Sequence, residues 1–399
     1  MTDKSGYSPL HFAASKNMLK ACEVLLEFQL QCYEQEQALV AAGGGSGESS
    51  GHQHLNNMAE LRRRRLKLWI DSPSQGKDGF TALHFASFHG NMALIRLLVR
   101  HGANIHVVNM QGINMLHVAA QGDQPVAIAY FLRQGIDINS QDRCLSTPLH
   151  WAGFSGADLT LNYLLAWGSD MEMRDSKGLT PLHLTVKSVK ENRSSKGIKQ
   201  LLIKGADRNA TDNDGKKPVD YLPRISGDKS QVGTDYLIND IRNVLKDEWT
   251  ILGDCLMIRN TFKLQRKSAF TLICYFLLMG GTFAMLQFGS YEVLRLTTRL
   301  NWLLAASQIL FGLAIVFCVV VWLSDPGKLK PDSAIDFIGL LDTMEASSLC
   351  PDCQVIRTPR CRHCNLCNAC VDRYDHHCPW VNNCIGKGNF AQFYTFVIL

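Results

Sequence analysis

The hydrophobic residues follow two different patterns along the chain. In the first half, short apolar stretches alternate with polar ones, and a Leu-His pair recurs every 33 residues at His84, His117, His150 and His183. An earlier Leu-His pair, at His11, belongs to the same pattern. A fixed period of this size indicates stacked copies of one small unit, because a single copy cannot bury its apolar face alone. We therefore expect a mainly α-helical solenoid in this half of the chain.

A short motif marks each repeat. Its clearest copy reads Thr-Pro-Leu-His-Trp-Ala over Thr147–Ala152, in which the threonine can cap a helix. The motif resembles the ankyrin repeat. The resemblance implies an array that binds partner proteins on its concave face, with the recurrent histidines in structural hydrogen bonds; the alternative is that these histidines bind a metal. We assign the array to residues 77–222, with a degraded copy over Gly215–Leu222 as its cap.

An insertion separates the first repeat, over residues 1–30, from the others. It covers residues 31–76 and contains a Gly/Ser-rich stretch, Ala41–His54, which predicts a flexible segment. It then carries four successive arginines, Arg62–Arg65. Arginines in such a run can contact phosphates, lipid head groups or an import receptor. We favour the simpler interpretation that they form the solvated face of a helix.

Two long uncharged stretches follow a linker over residues 223–267. Ser268–Tyr291 and Leu300–Ser324 contain no Asp, Glu, Lys or Arg, and each exceeds the ~20 residues that a helix needs to cross ~30 Å of hydrocarbon. A buried core helix is the alternative, but the length of both stretches favours membrane spans. Basic residues before the first span and after the second place both outer ends in the cytosol. A third apolar run, 389–399, is expected to be the start of a truncated third transmembrane helix.

Composition narrows the function classes. A length of 399 residues predicts two or three domains, and 46% hydrophobic residues exclude a chain that is disordered throughout. The net charge of +5 is too small to indicate a nucleic-acid binder. Eight of the 14 cysteines lie between Cys350 and Cys384, interleaved with histidines, and the polar N-terminus shows no signal peptide. This arrangement predicts bound metal in a reducing compartment rather than disulfides.

The cysteine cluster, which follows a cytosolic linker over residues 325–349, offers more ligands than two zinc ions need. A structural zinc site takes four nitrogen or sulfur ligands. The eight cysteines, with His363 and His377, make ten candidate side chains, which leaves two over after two sites are filled. Something in the cluster is therefore not structural. The alternative is a purely structural zinc module that binds protein or nucleic acid.

The surplus coincides with the run Asp375-His376-His377-Cys378, which Pro379 and Trp380 follow. With the Asp-Pro-Gly turn at 325–327 and the Asn-Asn-Cys-Ile-Gly run at 382–386, this segment resembles the DHHC-type protein S-acyltransferases, and the repeats make the layout similar to their ankyrin-repeat subgroup. The resemblance implies a catalytic DHHC domain over residues 350–386 with two Cys3His zinc sites. One set of ligands would be Cys350, Cys353, His363 and Cys370, and the other Cys364, Cys367, His377 and Cys384.

The same resemblance assigns the chemistry. Cys378 would be the nucleophile, with His376 as general base and Asp375 orienting the imidazole, whereas Cys361 would serve packing. The enzyme would move a palmitoyl or other long-chain acyl group from acyl-CoA to cysteine thiols of protein substrates, and the ankyrin repeats would recruit those substrates. The expected cofactors are two structural Zn²⁺, and the expected partners are proteins with cytosolic cysteines, acyl-CoA and the lipid bilayer, with no nucleic acid.

The family resemblance also implies a location and an alternative. We expect a multi-pass integral membrane protein of the Golgi, endoplasmic reticulum or vesicles, with the repeats and the DHHC domain in the cytosol. The sequence departs from the family pattern at Phe390–Phe393, where a basic residue or histidine is usual, and it lacks the third and fourth spans. The alternative is a non-catalytic membrane-tethered ankyrin adaptor or a truncated inactive isoform.

Overall fold

The computed structural model divides the chain into two units. The first unit comprises Met1–Leu245 and Ile338–Ala346, and the second comprises Lys246–Phe337 and Ser347–Leu399. The residues that the structure describes are 6–43, 51–75, 78–223, 232–246, 276–281, 283–285, 301–332 and 336–398.

The first unit is a helical array. Its helices are α1 (Pro9–Ser15), α2 (Leu19–Gly43), α3 (Gly51–Ile70), α4 (Ala82–His89), α5 (Met92–Arg100), α6 (Met115–Gln121), α7 (Pro125–Arg133), α8 (Pro148–Ser155), α9 (Asp158–Ala166), α10 (Pro181–Lys187), α11 (Val189–Asn192), α12 (Lys196–Lys204) and α13 (Val232–Lys246). The first helices of successive repeats pack on one another, α1 on α4, α4 on α6, α6 on α8 and α8 on α10. A 3₁₀ turn at Pro218–Tyr221 packs on α10, at the position predicted for the degraded last repeat.

The recurrent histidines hold neighbouring repeats together. In α4, His84 Nδ1 lies 2.9 Å from Thr81 Oγ1, and His84 Nε2 donates to the carbonyl oxygen of Ile113 in the next repeat at 3.1 Å. His117 and His150 make the same two kinds of contact, and all three rings are buried. The structural interpretation of these histidines is therefore confirmed.

The insertion contains two helices. Helix α2 continues from the first repeat as far as Gly43, and α3 packs against it. Arg62 pairs with Glu34 at 3.0 Å, whereas Arg64 pairs with Glu60 at 3.2 Å on the helix surface. The described part of the segment predicted to be flexible is thus largely helical, and the arginine run lies on a mostly exposed helix face.

The second unit contains an apolar helix, α14 (Asn301–Leu323). Its portion Ala305–Leu323 is the one helix, among the described residues, that is long and apolar enough to cross a membrane. It coincides with the second predicted span. Most of the first predicted span lies outside the described residues; in its described part, the Phe283 ring stacks on Phe311 of α14 with the ring centroids 4.1 Å apart.

Three two-stranded antiparallel hairpins form the cysteine-rich part. They are β1 (Leu349–Cys350) with β2 (Val355–Ile356), β3 (Arg362–Cys364) with β4 (Ala369–Val371), and β5 (His376–Cys378) with β6 (Asn383–Ile385). A short helix, α15 (Phe337–Leu341), precedes them, and an apolar helix, α16 (Phe390–Ile398), follows. Helix α16 packs against α14. The architecture is mainly α-helical, as predicted.

Candidate functional site

The hairpin register brings distant cysteines and histidines together. In β3 and β4, His363 lies opposite Cys370, and in β5 and β6, His377 lies opposite Cys384. Directly opposed residues of an antiparallel pair have their Cβ atoms about 4.5–5.5 Å apart. Each hairpin therefore supplies one histidine and one cysteine to the same point.

Two Cys-x2-Cys pairs complete two four-residue clusters. In each cluster, the four ligand atoms lie within 4.8 Å of one another. The clusters consist of Cys350, Cys353, His363 and Cys370, and of Cys364, Cys367, His377 and Cys384.

The distances within both clusters fit tetrahedral zinc. The sulfurs of Cys353 and Cys370 lie 3.2 and 4.0 Å from His363 Nδ1, and those of Cys364 and Cys367 lie 3.7 and 3.4 Å from His377 Nδ1. Zinc bound to sulfur at ~2.3 Å and to nitrogen at ~2.0 Å separates two ligand atoms by roughly 3.6–3.8 Å. Both clusters therefore offer the donor set and the spacing of a closed structural zinc site.

Cys378 lies outside both clusters. Its side chain is buried, with 4% of the residue exposed, and it ends β5 opposite Asn383. Burial raises the pKa of the Cys378 thiol, and the backbone N–H groups of Val381 and Trp380 oppose that rise because they favour the thiolate. The site thus combines an apolar surrounding with two donors directed at the sulfur.

Strand geometry separates the two neighbouring histidines. Successive side chains of a strand point to opposite faces, so His376 and Cys378 share one face of β5 and His377 points to the other. His377 accordingly belongs to the second cluster. His376 Nδ1 lies 3.3 Å from Asp375 Oδ2, and both side chains are 44% exposed. The His376 ring meets the edge of Phe393 in α16, with the ring centroids 5.3 Å apart.

An apolar cluster surrounds the Cys378 side chain. Its buried members come from the end of α14 and from the hairpin of β5 and β6, and aromatic side chains pack against it. The buried members are Cys318, Val321, Cys378, Val381 and Ile385, and the aromatic ones are Phe276, Phe393 and Phe396. Cys378 is therefore placed at the end of the one described helix that is suited to a membrane.

Asn383 fixes the hairpin to that helix. Its Nδ2 atom donates to the carbonyl oxygens of Val321 and Ser324 at 2.9 and 2.8 Å. These carbonyls lie at the C-terminus of α14, where no further helical N–H groups are present to bind them. The Asp325 carboxylate shapes the following turn by accepting from the backbone N–H groups of Gly327 and Lys328 at 3.0 Å. The N–H of Lys328 is the main reason that the pKa of Asp325 is lowered.

Two contributions to this site were missed from the sequence alone. Asn383 was noted as part of a motif but without its capping role, and Phe393 was noted as a departure from the family pattern without its contact to His376. Cys361 packs beside Cys350 and Cys370 of the first cluster, outside its four ligands, as expected for a packing residue.

Comparison with known protein families agrees with the two-part organisation. A family model described as DHHC palmitoyltransferase matches residues 343–399. Models for ankyrin repeats match residues 56–142 and 177–213.

Curated relatives are similar over part of the chain. Palmitoyltransferase ZDHHC18-B of Danio rerio is 35% identical over 119 residues, which cover 24% of this chain and 31% of the relative. Palmitoyltransferase ZDHHC14 of Homo sapiens is 35% identical over 120 residues, 24% of this chain and 25% of the relative. Palmitoyltransferase ZDHHC9 of Homo sapiens is 53% identical over 49 residues, 12% of this chain and 14% of the relative.

The chain thus spans less than a third of the length of the curated relatives that it matches. Within that part, the comparisons confirm the resemblance that the motifs suggested. The chain combines segments similar to ankyrin repeats with a cysteine-rich segment similar to that of the DHHC palmitoyltransferases.

Proposed function

We propose that this protein is a membrane-embedded protein S-palmitoyltransferase with Cys378 as its nucleophile. The observation that carries the proposal is the position of Cys378. Its neighbour His377 belongs to a four-residue zinc-type cluster, whereas Cys378 lies outside both clusters, in apolar surroundings at the end of α14. A thiol that the metal sites do not use, placed at the end of an apolar helix, suits transfer of a lipid chain.

The first step forms an acyl-enzyme. The Cys378 sulfur attacks the thioester carbonyl of a long-chain acyl-CoA, a carbon–sulfur bond forms to Cys378, and the bond to the sulfur of CoA breaks. His376, on the same strand face as Cys378, takes the thiol proton and passes it to the departing CoA thiolate. The Asp375 carboxylate, 3.3 Å from His376 Nδ1, orients the imidazole and stabilises its charged form.

The second step releases the lipid to a protein. A cysteine thiol of the substrate gives its proton to His376, attacks the thioester on Cys378 and takes the acyl group, and Cys378 regains a proton. The same base therefore serves both halves of a two-step exchange. The ankyrin array recruits the substrate proteins, whose acceptor cysteines are cytosolic.

The two clusters would hold structural Zn²⁺. Bound zinc would supply rigid cross-links between the hairpins. Cys364, Cys367, His377 and Cys384 would fix β5 and β6 from the face opposite to Cys378 and His376. The nucleophile and its base would then be held by the strand whose other face is tied to the metal.

The membrane layout explains why this chemistry belongs beside a span. The acyl chain partitions into the bilayer while CoA remains in water, so that the reactive sulfur has to lie at the interface. Helix α14 is suited to span the membrane, and we propose further spans over Ser268–Tyr291 and from residue 389 onward. The repeats and the DHHC domain would face the cytosol of Golgi, endoplasmic reticulum or vesicle membranes.

Acyl transfer to Cys378 can be tested by direct labelling. We expect the purified chain, incubated with an alkyne analogue of palmitoyl-CoA, to acquire a label that hydroxylamine removes, because thioesters are cleaved by hydroxylamine. Cys378→Ser is expected to abolish the label, whereas the matched control Cys361→Ser, outside both clusters, keeps it. If Cys378→Ser is labelled as strongly as labelled wild type, the assignment is refuted. If neither wild type nor Cys378→Ser is labelled, the result favours the alternative, a non-catalytic membrane-tethered adaptor.

A further inference from the structure

A segment that follows the membrane helix in sequence belongs to the repeat unit in the fold. Ile338–Ala346 is part of the first unit, although it lies between α14 and the first zinc-type ligand, Cys350. It comprises most of α15 and the turn after it. The side chains of Leu341 and Ala346 are buried, with 2% and 9% of each residue exposed. An isolated helix of this length is not stable in water, so contacts with the array must stabilise it.

Two side chains of the array bind the segment directly. Arg96 Nη2 lies 2.5 Å from Asp342 Oδ2, and both side chains are partly exposed. The hydroxyl of Tyr163, which is fully buried, donates to the carbonyl oxygen of Ala346 at 2.8 Å. Leaving a buried carbonyl without its donor costs about 1–3 kcal/mol. The hydrogen bond from Tyr163 is therefore the stronger constraint, and the charge pair adds selectivity for an acidic residue.

Both contacts come from corresponding helices of the repeats. Arg96 belongs to α5 and Tyr163 to α9, which are the second helices of two repeats with one repeat between them. The segment therefore lies across the second helices of the array. The Leu-His pairs, in contrast, belong to the first helices.

We infer that the second helices of the array form a peptide-binding surface, and that Ile338–Ala346 is its occupant within the same chain. The surface selects an acidic residue, since Asp342 meets Arg96, with a backbone carbonyl four residues later that accepts from Tyr163. Because the segment is on the same chain as the array, its binding is intramolecular, at an effective concentration set by the intervening chain. This inference does not depend on acyl transfer.

Amide exchange in the full chain, in detergent, tests whether the array holds the segment. The amides of Asp342, Thr343 and Met344 donate to carbonyls within the segment, so their exchange reports its order. We expect Arg96→Glu to speed their exchange roughly fivefold, and Tyr163→Phe, which keeps the ring, on the order of tenfold. Arg100→Glu changes the same charge at the end of the same helix and is expected to leave exchange unchanged.

A charge swap separates loss of this contact from general misfolding. The double variant Arg96→Glu/Asp342→Arg re-forms the pair with reversed signs and is expected to restore slow exchange. If exchange at these three amides is the same in wild type, Arg96→Glu and Tyr163→Phe, the array does not hold the segment and the inference is overturned. If Arg96→Glu speeds exchange but the double variant does not restore slow exchange, Asp342 is not the residue through which Arg96 holds the segment.

A peptide supplied separately tests whether the surface is a binding site. The probe is a fluorescein-labelled peptide of residues 336–347. We expect it to bind the full chain carrying Asp342→Lys, in which the chain's own segment binds the array more weakly while Arg96 and Tyr163 are unchanged. Wild type is expected to bind the peptide at least about tenfold more weakly, because its own segment competes for the surface. Equal binding to both chains, or no binding to the Asp342→Lys chain, would contradict a peptide-binding surface.

Discussion

Two adjacent histidines point to opposite faces because they lie on a strand. His376 and His377 are chemically identical and neighbours in the chain, yet only His377 lies within a zinc-type cluster. Alternation of side chains along β5 directs His376 to the face of Cys378. The edge contact between the rings of Phe393 and His376 limits the orientations that the His376 ring can adopt.

Substituting each of the two histidines in turn tests whether His376 serves acyl transfer and His377 binds zinc. We expect His376→Gln to slow acyl labelling of Cys378 by about 10²–10⁴-fold while the zinc content stays at that of wild type. His377→Gln is expected to remove close to half of the bound zinc, because it takes one ligand from one of the two clusters. Zinc by atomic absorption and labelling rates are measured on the same preparations. Loss of zinc from His376→Gln would contradict this division of roles.

The sequence names candidate reactive residues but not the contacts that support them. The spacing of cysteines and the Asp-His-His-Cys run identified the candidate ligands and the surplus thiol. Asn383 and Phe393 could not be assigned in this way, since their roles depend on where α14 and α16 lie relative to β5 and β6. The contact between Asn383 and Val321 joins residues 62 positions apart, and no local sequence pattern predicts it.

At the level of elements, the repeats are joined by buried neutral histidines. His84 Nε2 donates to Ile113, so its Nδ1 accepts from the backbone N–H of Thr81 at 3.1 Å. This arrangement fits one neutral tautomer, and a second proton on Nδ1 would oppose the Thr81 donor. Burial lowers the pKa of His84 to about 4 from its ordinary value of 6.5.

Acid should therefore weaken the array. The pKa of His84 is lower in the folded state than in the unfolded state, so its contribution to stability is fully present above about pH 6.5 and is lost as the pH falls towards about 4. The loss is on the order of 3 kcal/mol for this residue. Urea unfolding followed by far-UV circular dichroism, from pH 7 to 4, measures it.

A comparison of histidine variants isolates this effect from the titration of carboxylates. His84→Gln is expected to be less stable at pH 7 and to show a flatter pH dependence than wild type. The exposed His106 provides the matched control, and His106→Gln should reproduce the wild-type profile. Identical pH profiles for His84→Gln and wild type would mean that His84 does not carry the acid sensitivity.

Helices α2 and α3 flank the Gly/Ser-rich stretch that composition predicts to be flexible. Residues 44–50 of that stretch lie outside the described residues, and after them α3 begins at Gly51 and packs against α2. The reason lies in its apolar side chains: Leu66 and Ile70 are one turn apart and buried. Burial of these apolar side chains favours the helix. The period of 33 residues, in contrast, could be recognised in the sequence, because every repeat buries the same positions.

At the scale of the whole molecule, chain order and structural units do not coincide. Residues 325–349 were predicted as one cytosolic linker, but the structure divides them between the two units. The segment Ile338–Ala346 has no periodicity that would reveal its association, and its contacts are with Arg96 and Tyr163, far away in sequence. Long-range docking of a short segment is the kind of feature that a single sequence does not report.

Metal removal should affect the two units differently. Among the residues that the structure describes, the zinc-type clusters both lie in the second unit. The hairpins are two or three residues long on each strand, and such short hairpins are not stable alone, so zinc has to supply much of their stability. A strong chelator should release two zinc equivalents per chain and abolish acyl labelling. The thermal transition of the repeat unit should stay where it was, with amide exchange at Ile113 and Leu179 as the local readout. A fall in that transition after chelation would show that the stability of the array depends on the metal sites.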